Sequence, residues 1–232
     1  MTEIYISYIQ KHPIVSAAVF ITAVPIFLIL IRKAYVDPIF LLLLIYLIIK
    51  FALDLTMLHY ATNKMNNIVF ENTHVVVRYC ILSSMFYFKF ETKLFRRGVL
   101  ISILAFLLFA SWDFLRVNPS FSNFHQHKAF LYSSTIECIL MILWILRYFY
   151  ETIRSLKIPN LLSYPFFWVS SGMLLYYSSI VFIAPVFHYT FKWNNGFNIG
   201  LLVYIPSIFE IVTMVFMSVG IWFYSSKGYA RQ

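Results

Sequence analysis

PIFLLLLIYLIIKFALDLTMLHYA, residues 38–61, is an apolar run carrying two formal charges, Lys50 and Asp54, and it follows the turn signal Asp37-Pro38. A hydrocarbon layer about 30 Å thick needs roughly 17–25 apolar residues per helix, so this stretch predicts a membrane-crossing helix. Outward from it, six further runs read the same way: 14–31, 68–88, 99–114, 129–150, 165–187 and 199–224. Short connectors with breakers such as Asn66-Asn67, Asn118-Pro119, Pro159-Asn160 and Asn194-Asn195-Gly196 separate them. The period-two alternation of a transmembrane β-barrel is absent. The expected fold class is all-α: one integral membrane domain, residues 1–232, built as a seven-transmembrane-helix bundle.

Composition supports this. The chain is 61% hydrophobic and 12% charged, whereas a soluble domain carries roughly 25% charged residues. A net charge of +9 would suit nucleic acid, but the basic residues fall in short loops, where they act as an orientation signal, and no nucleic-acid partner is expected. Lys11, Lys64, Arg116, Lys128 and Lys192 would share one side. Arg32, Lys33, Lys89, Lys93, Arg96, Arg97, Arg147, Arg154, Lys157, Lys227 and Arg231 would share the other. The second, larger set belongs in the cytoplasm, which puts the N-terminus outside and the C-terminus inside the inner cell membrane. Tyr35, Trp112, Trp168, Trp193, Trp222 and Tyr224 fall near helix ends, as interfacial anchors do. Met1–Pro13 lacks the basic start of a removable signal, and with six residues after Ser226 no fused output module is expected. Cys80 and Cys138 lie inside apolar runs and read as small buried side chains.

Charges inside the runs are the chemical signal, because an ionisable group at the bilayer centre costs about 2.5–3.5 kcal/mol on insertion scales. Lys50 and Asp54, one turn apart, suit an intrahelical pair, with Tyr46 and Met57 on the same face. Asn67, Glu71, His74 and Arg78 recur at i, i+4, i+7 and i+11, a stripe roughly 60° wide that must face inward. Glu137 and Glu210 add one acid each from the fifth and seventh runs, and the whole set falls between the midplane and the outer face. Four carboxylates against Lys50 and Arg78 leave two acids over. Glu137 and Glu210 are the expected spare pair, with Ser133 and Ser134, and Ser207 and Thr213, as neighbours. Pro206 is expected to free the Leu202 carbonyl and kink the seventh helix. Spare acids are protonated, paired with a charged His74, or occupied by a cationic ligand. The expected ligand-binding set is therefore Glu71, His74, Arg78, Glu137 and Glu210, supported by the Lys50–Asp54 pair. His59 lies on the opposite face from Lys50. His125 and His127 form a lone His-x-His, too weak a signal for a metal, and no cofactor is expected. Segments 86–92 and 146–152 echo each other, as two aromatic interface belts or an old duplication would. The small residues of the sixth run suit close helix packing, with its Tyr hydroxyls as candidates to line the cavity.

Asn67, Glu71 and Asn72 at the entry of the third helix, Glu137 in the fifth, and Phe167-Trp168 followed by Gly172 and Tyr176 in the sixth resemble a group of uncharacterised seven-helix integral membrane proteins of Bacteroidota. More distantly, the architecture is similar to seven-helix receptor modules fused to bacterial signalling domains. That resemblance implies a receptor-like sensor acting through a separate partner, such as a sensor kinase, by way of loops 89–98 and 151–158. Retinal proteins and the zinc hydrolases of the ceramidase type fit less well, since the last helix offers neither lysine nor paired histidines. The competing readings are an intramembrane enzyme or proton-coupled carrier using the same acids, and an assembly subunit of a membrane complex. The expected partners are the lipid bilayer, a signalling protein, and a small ligand or proton.

Overall fold

The computed structural model describes residues 2–119, 126–155, 160–193 and 204–224. It is all-helical among these residues. Nine helices follow one another: α1 (Thr2–Lys11), α2 (Pro13–Ile21), α3 (Ala23–Ile31), α4 (Pro38–Thr62), α5 (Ile68–Lys89), α6 (Lys93–Val117), α7 (Leu131–Ser155), α8 (Pro165–Trp193) and α9 (Ile205–Trp222).

Local chemistry sets several of these ends. Asp37 caps α4 by accepting the Ile39 N–H at 2.8 Å, and Pro38 opens the helix where its missing N–H costs nothing. The first expected span is divided at Thr22 into α2 and α3. Pro25 removes the amide that would have bonded the Ile21 carbonyl, and Thr22 turns its buried hydroxyl back to the Ala18 carbonyl. Pro206 stands in the first turn of α9. The kink expected there involves residues before Tyr204, Leu202 among them, that lie outside the described residues. Helix α6 runs further than the apolar run 99–114 at both ends, because Lys, Arg and Leu are good helix formers whether or not they are apolar. Helix α1 is an addition that hydropathy does not reveal, since its ten residues mix polar and aromatic side chains.

Among the described residues, five helical stretches are long and apolar enough to cross a membrane: Pro13–Ile31, Pro38–Thr62, Lys93–Val117, Pro165–Ile183 and Ile205–Trp222. Helices α5 and α7 have similar lengths, 22 and 25 residues, and carry the ions Arg78 and Glu137 within them. The outward face of α6 presents Leu100, Ile101, Leu104, Leu108 and Leu115, an apolar stripe that water would not tolerate. The chain is a membrane protein.

The helices close into a ring. Neighbours in sequence pack together from α4 to α9, and α9 returns to lie on α2 and α3, while α5 also packs on α7. The closest approach is between α8 and α9. A Cβ on Gly220 would stand 2.6 Å from the Pro165 carbonyl oxygen, and one on Gly172 would stand 2.8 Å from Phe216 Cβ. The echoing segments meet at one end of the core, where the Phe86 and Tyr148 rings are 6.2 Å apart. At the other end, Asn72 and Asn118 hold the strap that leads into α7. Asn118 accepts from the Lys128 N–H at 2.7 Å, and Asn72 donates to the Lys128 carbonyl at 3.1 Å.

Candidate functional site

The charges inside the bundle form two clusters. In the first, the Lys50 ammonium of α4 donates to Asp54 one turn along the same helix and also to Glu210 of α9. This is more than a private intrahelical pair, because one cation holds two helices together. In the second, Arg78 of α5 meets Glu137 of α7 through a bidentate fork, with Nε to Oε1 and Nη2 to Oε2 both at 2.6 Å. The third face of the guanidinium is taken by α8: Nη1 donates to the Tyr176 hydroxyl at 2.8 Å, and the Tyr177 hydroxyl donates to Glu137 at 3.2 Å. A fork of this geometry satisfies both ions as well as a protein interior allows.

The expected spare acids are thereby corrected. Glu137 and Glu210 are both engaged by cations, and Glu71 is the carboxylate left over, with no hydrogen bond or ion pair among the described residues. Two of the four hydroxyls expected to serve the spare acids have other work. Ser133 donates to Asp113 at 2.8 Å, and Thr213 donates to the Gly172 and Phe209 carbonyls.

Where α1, α2, the C-terminal half of α4, the N-terminal half of α5 and the start of α9 converge, the bundle encloses a cavity of about 270 Å³. Asp54, Glu71, His74, Arg78, Tyr176 and Glu210 are on its wall. Glu71 remains accessible because it stands on that wall, whereas His74 is 5% exposed, stacked parallel to Tyr46 with ring centroids 6.2 Å apart. The His74 Nε2 has no hydrogen-bond partner among the described residues. An adjoining void of about 20 Å³, room for one water, is lined by Tyr46, Lys50, Arg78, Tyr176 and Glu210, and so touches both ion clusters. Of the seven charged or titratable residues singled out from the sequence, five line the larger cavity. Lys50 borders the void, and Glu137 stands behind Arg78, wholly buried. His59 points away and bonds the Tyr5 hydroxyl at 2.5 Å, which ties α1 to α4.

Two contributors escape a reading of the sequence. Tyr8 brings α1 to the cavity wall, and nothing in its local pattern marks it. Asp113 is fully buried and accepts from both the Ser133 N–H, at 3.0 Å, and the Ser133 hydroxyl, so it caps the first turn of α7 from across the bundle. Its signal was an acid inside an apolar run.

Among the described residues, no group of three or more His, Cys, Asp or Glu side chains is placed to hold a metal ion. His125 lies outside the described residues. No family model, curated protein or solved structure matches the chain. Its class therefore rests on its own features: an all-helical membrane protein with a polar cavity and buried ion clusters.

Proposed function

We propose that the chain is a receptor-like sensor in the inner cell membrane, crossing it seven times with its N-terminus outside, and that the cavity takes a small ligand from the outer side. The observation that carries this reading is the linkage of the cavity wall to five helices. Asp54 and Glu210 join α4 to α9 through Lys50, and Arg78 joins α5 to α7 and α8. A charge entering the cavity acts on both clusters at once, and interfaces held by discrete ion pairs repack in steps. The pairing of Arg78 with Glu137 is consistent with α5 and α7 as spans whose ions are neutralised by each other inside the ring. The excess of basic residues on the side of Arg32, Lys89 and Arg147 supports the orientation. Arg32 lies over the Trp222 ring at 4.1 Å, a pairing that suits an interfacial belt. The basic segments expected as loops are mostly helical: 89–98 is the α5–α6 turn with the first turns of α6, and 151–155 is the end of α7, with 156–159 outside the described residues. These helix ends are the surfaces that would pass the change to a signalling partner.

The test is a distance across the cytoplasmic end. Spin labels replace Val36 and Ile153, both well exposed, in a Cys80→Ser, Cys138→Ala background. Glu210→Gln releases one of the two carboxylates on Lys50 and is expected to move the measured distance by roughly 1–2 Å or more, the scale of helix shifts in switching proteins. Superimposable distance distributions in the parent and Glu210→Gln proteins defeat the sensor reading. A proton-coupled carrier is the second reading, favoured by the water-sized void that continues the polar path past the cavity. Proton uptake by proteoliposomes that vanishes in Glu210→Gln decides for it.

A further inference from the structure

We infer that the ligand of this cavity is a small organic ammonium ion received by Glu71, an inference that rests on reading the cavity as a ligand site. The charges choose the sign. Arg78 is on the wall, but its Nε, Nη1 and Nη2 are already donating to Glu137 and Tyr176, and the Lys50 ammonium is already held by two carboxylates. Both cations are thus already neutralised by carboxylates, so the net charge of the wall favours a cation over an anion. Two cations stand against four carboxylates, and Glu71, exposed and on the cavity wall, is the acid without a partner among the described residues.

A second observation is independent of the acids. His74 is more than nine-tenths buried, lies on the same wall, and has an Nε2 with no partner among the described residues. An unmet polar atom in such a place is expensive, and a ligand N–H is one way to meet it.

The remaining wall selects an organic ion over a bare one. Val15, Val19, Met57 and Leu58 face the cavity together with the Tyr8 ring. A hard metal ion needs oxygens all round, and no metal-holding group is present among the described residues. A hydrocarbon body with one ammonium head fits a half-apolar, half-acidic cavity of about 270 Å³. The chain carries its own precedent: Lys50 is a primary ammonium seated between Asp54 and Glu210 at the edge of this site. The same head group is offered by free amines and by the ethanolamine of a lipid.

The experiment uses the full-length protein purified in detergent, with thermal unfolding as the readout. Benzylamine is compared with benzyl alcohol and benzoate, which keep the ring and change the charge, and with sodium chloride. Saturating benzylamine is expected to raise Tm by roughly 5 °C, the size of shift that a ligand near a hundred times its Kd gives a chain of this length. The three controls are expected to leave Tm where it is. Glu71→Gln should weaken benzylamine at least tenfold while its own unfolding matches the parent, because Glu71 makes no pair to lose; Glu71→Asp should restore part of the affinity. Repetition in phosphatidylglycerol nanodiscs, with and without phosphatidylethanolamine, separates the sources. Glu71-dependent stabilisation by the lipid assigns the ammonium to a headgroup, and stabilisation by benzylamine alone assigns it to a free amine. Binding of benzoate, a shift from sodium alone, benzylamine binding that ignores Glu71→Gln, or no response to either ammonium source overturns the inference. The Val36–Ile153 distance keeps the two ideas apart. Amine binding through Glu71 with no distance change removes the sensor and leaves the ligand. A distance that answers Glu210→Gln in a protein blind to amines does the reverse.

Discussion

Glu137 and Glu71 are chemically identical acids placed in opposite circumstances. Glu137 is fully buried and forked to Arg78, while Glu71 keeps access to the cavity and has no partner among the described residues. Removing one member of a buried pair strands the other, which typically costs about 3–5 kcal/mol, while replacing both with apolar groups recovers much of it. Arg78→Met is therefore expected to destabilise the detergent-solubilised protein by about 3 kcal/mol or more in denaturant titrations, and adding Glu137→Leu should restore a large part. A double variant no better than Arg78→Met alone speaks against the pairing. Glu71→Gln is expected to lie within about 0.5 kcal/mol of the parent, as a substitution away from any such network does. The inward face bearing Glu71, His74 and Arg78 was legible in their spacing, because 3.6 residues per turn stacks i, i+4, i+7 and i+11. Which acid Arg78 would choose was not, since that depends on the rotation of α7 against α5.

Between elements, the α8–α9 contact is the tightest, and glycine is what allows it. At Gly220 a methyl group would sit 2.6 Å from the Pro165 carbonyl oxygen, backbone that cannot step aside cheaply. Gly220→Ala is expected to cost about 1–3 kcal/mol through forced separation of the two helices. Gly98→Ala is the control. Its methyl would meet the Trp144 ring at 3.2 Å, a side chain with room to give, so the loss should be smaller in the same thermal scan. Equal losses at the two positions mean the α8–α9 contact is looser than this packing requires. The small residues of the sixth run announced a close contact. They did not name α9, because many helices can accept a glycine face. Helix α1 stayed hidden for a different reason: its sequence carries no apolar run, and its place is set by Tyr5 bonding His59 and Tyr8 reaching the cavity.

For the molecule as a whole, the proposed orientation makes a direct prediction. A cysteine at Lys64 should react with a membrane-impermeant maleimide on intact cells, and one at Val36 only after the membrane is opened; the opposite pattern inverts the topology. The all-helical class, the membrane and the five most apolar spans were decided by the sequence alone, because burying a backbone in hydrocarbon leaves a helix few alternatives and run length measures the layer. So was the need for buried ions to meet, since lone charges in lipid are too costly to keep. What only the tertiary structure decided is which groups met. Lys50 joined Asp54 to Glu210, Arg78 took Glu137, Asp113 capped α7, and Glu71 was left facing a cavity. Periodicity fixes the face a residue occupies on its own helix, but partners on different helices are chosen by rotation, tilt and depth, which arise only when the ring closes.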